Sequence, residues 1–508
     1  MRRLKAIHFA PALAIVALLA WGLASPVGAA PDDDYHLVST WCAVSDGTTC
    51  AAGTSSDTRR VPAAILDSVC YAQHPEVSAG CQNDLDFDGA ATELTKRGNF
   101  VGAYPPVYYS VMHVFVGPNV EVSAVIMRVV NVLIFVAFVT GLFLLLPVER
   151  RPTLIWTWVV TTVPMGLFLL ASNNPSGWAI VGVGTGWLAL LGYLETRGWR
   201  KWTLGGLAAL ATLMAAGSRG DAAIYAVLGI GATFILTVPR ERRAWRRYAL
   251  DAILPVALVV GAILLFLSAR QTQSGLGGFS SGVSSAVNPG TDAQGLEGFG
   301  RFAYNLLNVP FLWAGNFGEW GLGWLDTSMP AVVSYGAIAC LVAVGFVGLS
   351  RMWGRKLFVV LGAGLTLWIL PVYVLTAGGN IVGEAVQPRY VLPLIVLLAG
   401  LVFVTKAGRP FALTRPQLVL IIATLSVANF IALHMNIRRY VTGIDDAGWN
   451  LDAGAQWWWN LAISPMTVWI VGSLAFAATV AILVREVAWP GRVTELTVLV
   501  RGANALNT

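Results

Sequence analysis

Long apolar runs decide what this chain can fold into. About twelve follow one another, at roughly 8–27, 121–146, 153–171, 176–195, 202–217, 221–238, 248–268, 331–350, 357–377, 389–405, 416–434 and 465–484. A run of about 18 or more apolar residues with few charges crosses a bilayer as a helix, because a helix satisfies its backbone N–H and C=O groups within one segment. An outer-membrane barrel would show short alternating segments instead. Across 508 residues the chain is 56% hydrophobic and only 12% charged, outside the balance of a soluble domain. The expected fold class is an all-α polytopic membrane protein. No internal repeat is visible.

Charge placement orients it. With the N-terminus in the cytoplasm, the inner segments hold Arg2, Arg3 and Lys5; Arg150 and Arg151; Arg197, Arg200 and Lys201; and Arg240, Arg242, Arg243, Arg246 and Arg247. Further along they hold Arg351, Arg355 and Lys356; Lys406, Arg409 and Arg415; and Arg485, Arg492 and Arg501. Basic residues gather on the cytoplasmic side of membrane proteins. The net charge of +6 is thus a topology signal, and nucleic acid is excluded as a partner. Both termini are expected in the cytoplasm.

The chain then divides into a first membrane helix (1–30), an outer loop with an interfacial helix (31–120), helices two to seven (121–268), a second outer loop (269–330), helices eight to twelve (331–484) and a cytoplasmic tail (485–508). Residues 1–30 also fit a cleavable signal peptide, with basic residues before the apolar run and Gly28-Ala29-Ala30 after it. We read a retained anchor, because the run is long enough to span and an acidic cluster follows at once.

That cluster is Pro31-Asp32-Asp33-Asp34-Tyr35-His36. It places carboxylates and an imidazole at a membrane surface. Such a group can serve as a general base, a divalent-cation site, a cation-coupled transport path or a solvated loop start. In a helical turn, Asp32 or Asp33 shares a face with His36. Cys42, Cys50, Cys70 and Cys81 lie in the same outer loop, where two disulfides fit an oxidising compartment. Three pairings are open, and zinc is the rival reading, without a Cys-x-x-Cys spacing to support it. Cys340, inside an apolar run, reads as a packing residue. Asp84, Asp86, Asp88 and Gly89 resemble the start of a calcium loop, but Thr95 stands where the bidentate Glu belongs. A divalent cation is thus one option there, and a solvated acidic turn the other.

Other candidates follow in order. Tyr104-Pro105-Pro106-Val107-Tyr108-Tyr109 leads into an interfacial or re-entrant helix, with its tyrosines expected at headgroup level. Arg128 lies inside an expected span, where a charge is expensive and either functional or snorkelling. Ser172-Asn173-Asn174-Pro175 and Ser218-Arg219-Gly220-Asp221 are short outer turns. Gln271 to Gly300 is rich in Gly and Ser and reads as a mobile loop. The aromatic stretch ending Gly323-Trp324-Leu325-Asp326 suits sugar binding or interfacial anchoring. Gln387-Pro388-Arg389-Tyr390 puts a guanidinium at the outer end of a helix, suited to a phosphate or to snorkelling. Trp457, Trp458 and Trp459 are expected to mark the interface.

Taken in this order, the motifs resemble the GT-C superfamily of integral-membrane glycosyltransferases, and most of all the bacterial family known as domain of unknown function 2142. The quoted features are Pro31 to His36 against an acidic Pro-Asp-Glu-x-x-His motif, Tyr104 to Tyr109, Asn174-Pro175, Gly323 to Asp326, and Gln387 to Tyr390. Pro388 departs from the Gly usual there, and the first loop is longer than expected.

The resemblance implies an inverting transferase. Its donor would be a polyprenyl-phosphate sugar and its acceptor a cell-envelope polysaccharide or glycoprotein. The site would face outward from a bacterial plasma membrane, and no cofactor beyond a possible divalent cation is implied. Asp32 is then the main candidate base, Asp33 the second, and His36 an orienting partner. Arg389 and Arg219 would hold the donor phosphate. Tyr104, Asn174, Trp324, Asp326, Gln387 and Tyr390 would line the substrate site. The rival functions are transport of a lipid-linked envelope intermediate and a non-catalytic membrane scaffold.

Overall fold

Each apolar run becomes helix, and the exceptions lie where proline or polar residues interrupt it. The protein is described by a computed structural model covering residues 5–44, 50–269, 295–405 and 413–488. Arg2, Arg3, Lys406, Arg409, Arg492, Arg501 and most of the expected mobile loop and cytoplasmic tail lie outside the described residues.

Helix α1 (Ala10–Leu23) is the first membrane helix, and α2 (Asp33–Trp41) follows from the acidic motif. A small outer subdomain carries three antiparallel strands, β1 (Ala51–Ala52), β2 (Arg59–Pro62) and β3 (Thr92–Thr95), in the order β1-β2-β3, with α3 (Ala63–Asp67) after β2. The pairing Arg59 to Thr95 and Pro62 to Thr92 fixes where β3 ends. Disulfides join Cys42 to Cys50 and Cys70 to Cys81. Cys340 is buried and free.

The short helix α4 (Val107–His113) sits where an interfacial helix was expected, but Tyr108 and Tyr109 are buried rather than placed at headgroup level. They pack edge-on against each other, and Tyr108 also meets Trp178, so the bundle takes them in.

The membrane bundle continues with α5 (Val120–Leu145), α6 (Arg151–Thr161), α7 (Met165–Leu170), α8 (Pro175–Glu195), α9 (Trp199–Ser218) and α10 (Gly220–Thr237). The chain goes on through α11 (Arg242–Asp251), α12 (Ile253–Ser268), α13 (Gly298–Ala314), which makes helix of part of the stretch 269–330 expected as a loop, α14 (Ala331–Leu349) and α15 (Gly354–Ala377). It closes with α16 (Pro388–Phe403), α17 (Arg415–Val441) and α18 (Pro465–Ala488).

The twelve expected spans all fall on helix, yet among the described residues only 8 helices are long and apolar enough to cross a membrane by themselves, or 9 if α11 and α12 count as one. The others depart for visible reasons. The span expected at 153–171 breaks between α6 and α7, at Pro164. α11 and α12 are bent by 45°. α9 begins with charged residues, and α16 has only 16 residues.

α8 is almost wholly buried and forms the centre, packing on α9, α10 and α16. Its glycines permit this: a Cβ at Gly182 would lie 2.4 Å from the carbonyl oxygen of Ala211 on α9. α1 packs on α18 and α5. Trp457 and Trp459 are buried, contrary to the interfacial reading, and Trp459 Nε1 donates to the Leu23 carbonyl at 2.6 Å, at the end of α1.

Candidate functional site

The segment between α1 and α2 has no backbone ladder, so each buried carbonyl in it needs a partner from elsewhere. Distant side chains supply them. Arg128 of α5 donates to Gly22 at 2.8 Å, Ser25 at 2.5 Å and Pro26 at 2.6 Å. Asn436 of α17 donates to Ala24 at 3.0 Å. Tyr71 and Gln82 donate to Val27 at 2.8 and 2.7 Å. Trp324 donates to Gly28 at 2.9 Å, and Asn174 to Pro31 at 2.7 Å. Asn174 also caps α8 through the Ser176 N–H. The segment is thereby fixed against α5, α8, α17 and the outer subdomain. Arg128, which the sequence left between function and snorkelling, is a buried anchor.

Asp32 follows with φ 59, a left-handed conformation that Asp tolerates better than most side chains. It precedes α2, yet its carboxylate does not cap that helix. It turns to two guanidiniums instead. Arg389, at the start of α16, donates to Asp32 Oδ2 at 2.5 Å. Arg97 donates to Asp32 Oδ1 at 3.0 Å and also to Asp34. Arg389 further donates to Gln387 and to the Tyr390 hydroxyl.

Arg97 has no marking in the sequence beyond its place in a polar loop, and it was not anticipated. The register of β3 delivers it. Thr95 ends the strand and its hydroxyl accepts the Arg97 N–H, while Asn99 N–H donates to Ser39 of α2. The Arg97 side chain is 36% exposed, whereas that of Arg389 is 3% exposed. The cluster thus has an inner and an outer arginine.

Arg219 lies beside this group. It forms a buried two-bond pair with Asp221, both contacts at 2.9 Å, and stacks over Tyr390 at 4.3 Å and Tyr104 at 5.7 Å. His36 does not orient Asp32 by a side-chain hydrogen bond. Its Nδ1 shares a hydrogen bond of 2.9 Å with the hydroxyl of Tyr109, and its ring meets Tyr35 and Tyr104 edge-on. Tyr109, quoted in the sequence as part of the Tyr104–Tyr109 motif, was not expected as the partner of His36.

Asp326 is drawn elsewhere. It pairs with Arg439 at 2.8 Å and accepts the Gln73 N–H, so with Trp324 it ties the outer subdomain to α17 and to the Gly28 turn. Arg439, 113 residues along the chain, was not singled out by the sequence either.

The three acids of the turn behave differently. Burial would raise Asp32, but the guanidiniums of Arg389 and Arg97 hold it below the usual carboxylate range. Asp33 is fully buried and pushed up to about 7, against the pull of Arg128 and the Ala30 N–H. Its Oδ1 has no hydrogen-bond partner among the described residues. Burial pushes His36 down to about 3; Asp32 opposes this, while Arg389, Arg219 and Arg97 add to it. Near neutral pH the site therefore holds an ionised Asp32 and a neutral imidazole.

No group of three or more His, Cys, Asp or Glu side chains among the described residues is placed to hold a metal ion. Asp84, Asp86 and Asp88 are not gathered as a calcium loop would require; Asp86 accepts the Asp88 N–H and turns the chain.

A family model described as "Predicted membrane protein (DUF2142)" matches residues 15–398. No curated protein and no solved structure matches the chain.

Proposed function

From the premise that this chain belongs to the DUF2142 family of predicted membrane proteins, we propose that it is an inverting membrane glycosyltransferase. It moves a sugar from a polyprenyl-phosphate donor to a cell-envelope acceptor, on the outer face of a bacterial plasma membrane. Both termini are cytoplasmic. The observation that carries this reading is the convergence of Arg389 and Arg97 on one ionised carboxylate, with Arg219 and the rings of Tyr104 and Tyr390 alongside.

The chemistry follows from those groups. The donor's phosphodiester offers a guanidinium the same fork of oxygens as Asp32, and it gains a second negative charge as the sugar leaves. Donor binding draws Arg389 and Arg97 from Asp32 to the phosphate and leaves the carboxylate free to take a proton. The acceptor hydroxyl gives its proton to Asp32, and its oxygen attacks the anomeric carbon on the face opposite the phosphate. The bond from that carbon to the phosphate oxygen breaks, and the electron pair leaves with the phosphate, neutralised by the arginines. The tyrosine faces carry the sugar. His36, neutral and held by Tyr109, shapes the wall.

The test is transfer from labelled polyprenyl-phosphate sugars in membranes containing the protein. Asp32→Asn is expected to lower transfer by about 100- to 10,000-fold with the protein still folded. Undiminished transfer would move the base to Asp33. If the wild type transfers from no donor, the enzyme reading fails.

One observation favours a second reading, transport of a lipid-linked intermediate. The α6–α7 break and the 45° bend between α11 and α12 are interruptions of the kind transporters use. Movement of a labelled lipid-linked sugar across vesicles, without transfer, is its signature.

A further inference from the structure

A cavity lies away from the Asp32 cluster. It has a volume of about 490 Å³, is open on one side, and is lined mainly by α1, α5, α6 and α18. Ala14, Phe135, Phe143, Trp158 and Val480 contribute to an almost wholly apolar wall. The mouth is polar, with Lys5, His8, Arg151 and Glu486. Arg151 opens α6, and Asp33 follows the far end of α1, so the mouth and the acidic turn are at opposite ends of the bundle.

Three observations define an occupant. First, the cavity runs alongside α6 from Arg151 to Thr162, which is roughly 16 Å at 1.5 Å per residue. That is about half of a hydrocarbon core of about 30 Å, the depth of one leaflet. A slot that long and that apolar accepts one acyl chain. Second, Arg151 makes no close ion pair among the described residues, Glu486 and Glu149 acting on it only at longer range, and its buried Nε has no hydrogen-bond partner among them. Its guanidinium instead lies over the Phe143 ring at 4.7 Å, which holds it at the mouth. Third, Lys5 and Arg151 line the mouth against one lining carboxylate, Glu486, with Glu149 and Arg200 also near Arg151, and the N-terminal end of α6 adds a partial positive charge.

A phosphate-headed lipid suits all three. We propose that this cavity is a binding site for an anionic glycerophospholipid of the leaflet opposite the Asp32 cluster, with one acyl chain inserted and the phosphate on Arg151 and Lys5. A polyprenyl phosphate shares the headgroup chemistry, but its chain is too long for a slot one leaflet deep. The site is independent of the transferase reading.

The test uses the full chain in nanodiscs and phosphatidylglycerol with a photoreactive group at the end of one acyl chain. Labelling is expected in peptides containing Trp158 to Leu167 or Phe476 to Leu483. A phosphatidylcholine probe is expected to label them about tenfold less, since two basic side chains favour the anionic headgroup. Arg151→Gln is expected to lower labelling by phosphatidylglycerol about fivefold and to leave phosphatidylcholine unchanged. Ala14→Phe, which fills the slot, is expected to abolish both. Equal labelling by the two probes would reduce the cavity to ordinary lipid contact and overturn the proposal. So would displacement of the probe by polyprenyl phosphate more readily than by unlabelled phosphatidylglycerol, or labelling unchanged in both variants.

Discussion

The acidic turn is gripped on two sides, and the two grips differ in kind. On its inner side Arg128 donates to the main-chain carbonyls of Gly22, Ser25 and Pro26. On its outer side Arg389 and Arg97 donate to side chains: Asp32, Asp34, Gln387 and Tyr390. A carbonyl in a fixed segment cannot turn away, whereas a carboxylate can rotate and be replaced by another anion. Arg128 is therefore a fixed strut, whereas Arg389 and Arg97 hold acceptors that another anion can replace. All three are cations close to the same acids; the nature of their acceptors separates Arg128 from Arg389, and exposure also sets Arg97 apart.

The contrast can be broken from the inside first. Arg128→Met leaves three buried carbonyls without donors, and a loss on the order of 3–5 kcal/mol is expected. The measurement is the melting temperature and monodisperse yield in detergent. A variant that melts with the wild type would show that the strut is dispensable.

Asp33 gives the next largest effect, through pH. Its native value of about 7 exceeds the ordinary 3.8, so the native state holds this proton more tightly than the unfolded chain. The corresponding stability is fully present below the ordinary value and is lost as pH rises through about 7. The difference corresponds to about 4 kcal/mol at most. His36 works in the opposite sense: stability present above its ordinary 6.5 is lost as pH falls towards about 3. Asp33→Asn is expected to remove the first slope, gaining on the wild type between about pH 4 and pH 8. Parallel melting curves at both ends would contradict the burial argument.

The outer side should respond in function rather than in folding. Arg389→Gln is expected to lower sugar transfer by about 100-fold, as loss of a buried charge on the leaving phosphate would, while Asp32 keeps Arg97 and the melting temperature changes little. A collapse of folding without a separable loss of transfer would place Arg389 with Arg128, among the struts. Arg97→Gln is expected to have the smallest effect, about tenfold, seen more in donor KM than in kcat. Its side chain is a third exposed and screened by water.

Much of this was legible along the chain, and the omissions share a cause. The acidic motif, Arg389 and Arg219 were marked by their place at the outer ends of apolar runs, and Tyr104, Tyr390 and Asn174 by the family resemblance; the structure brings them into or against one group. Arg97 was not, because its position depends on the register of a four-residue strand paired with another segment. Asp326 was marked in an aromatic stretch suited to sugar binding or anchoring, and its pairing with Arg439 joins residues 113 apart. The disulfides were expected within the first loop, but the choice of Cys42 with Cys50 and Cys70 with Cys81 needed the folded subdomain.

The sequence by itself determined the class, the placement of the helices and the loop that carries the cysteines. Those depend on the cost of leaving backbone groups unpaired in an apolar medium, a local quantity summed over one segment. Tertiary structure alone decided which buried arginine is a strut and which faces an exchangeable partner. A charge takes its role from its acceptors, and here they come from residues as far apart as Asp32 and Arg389, which no local sum can see.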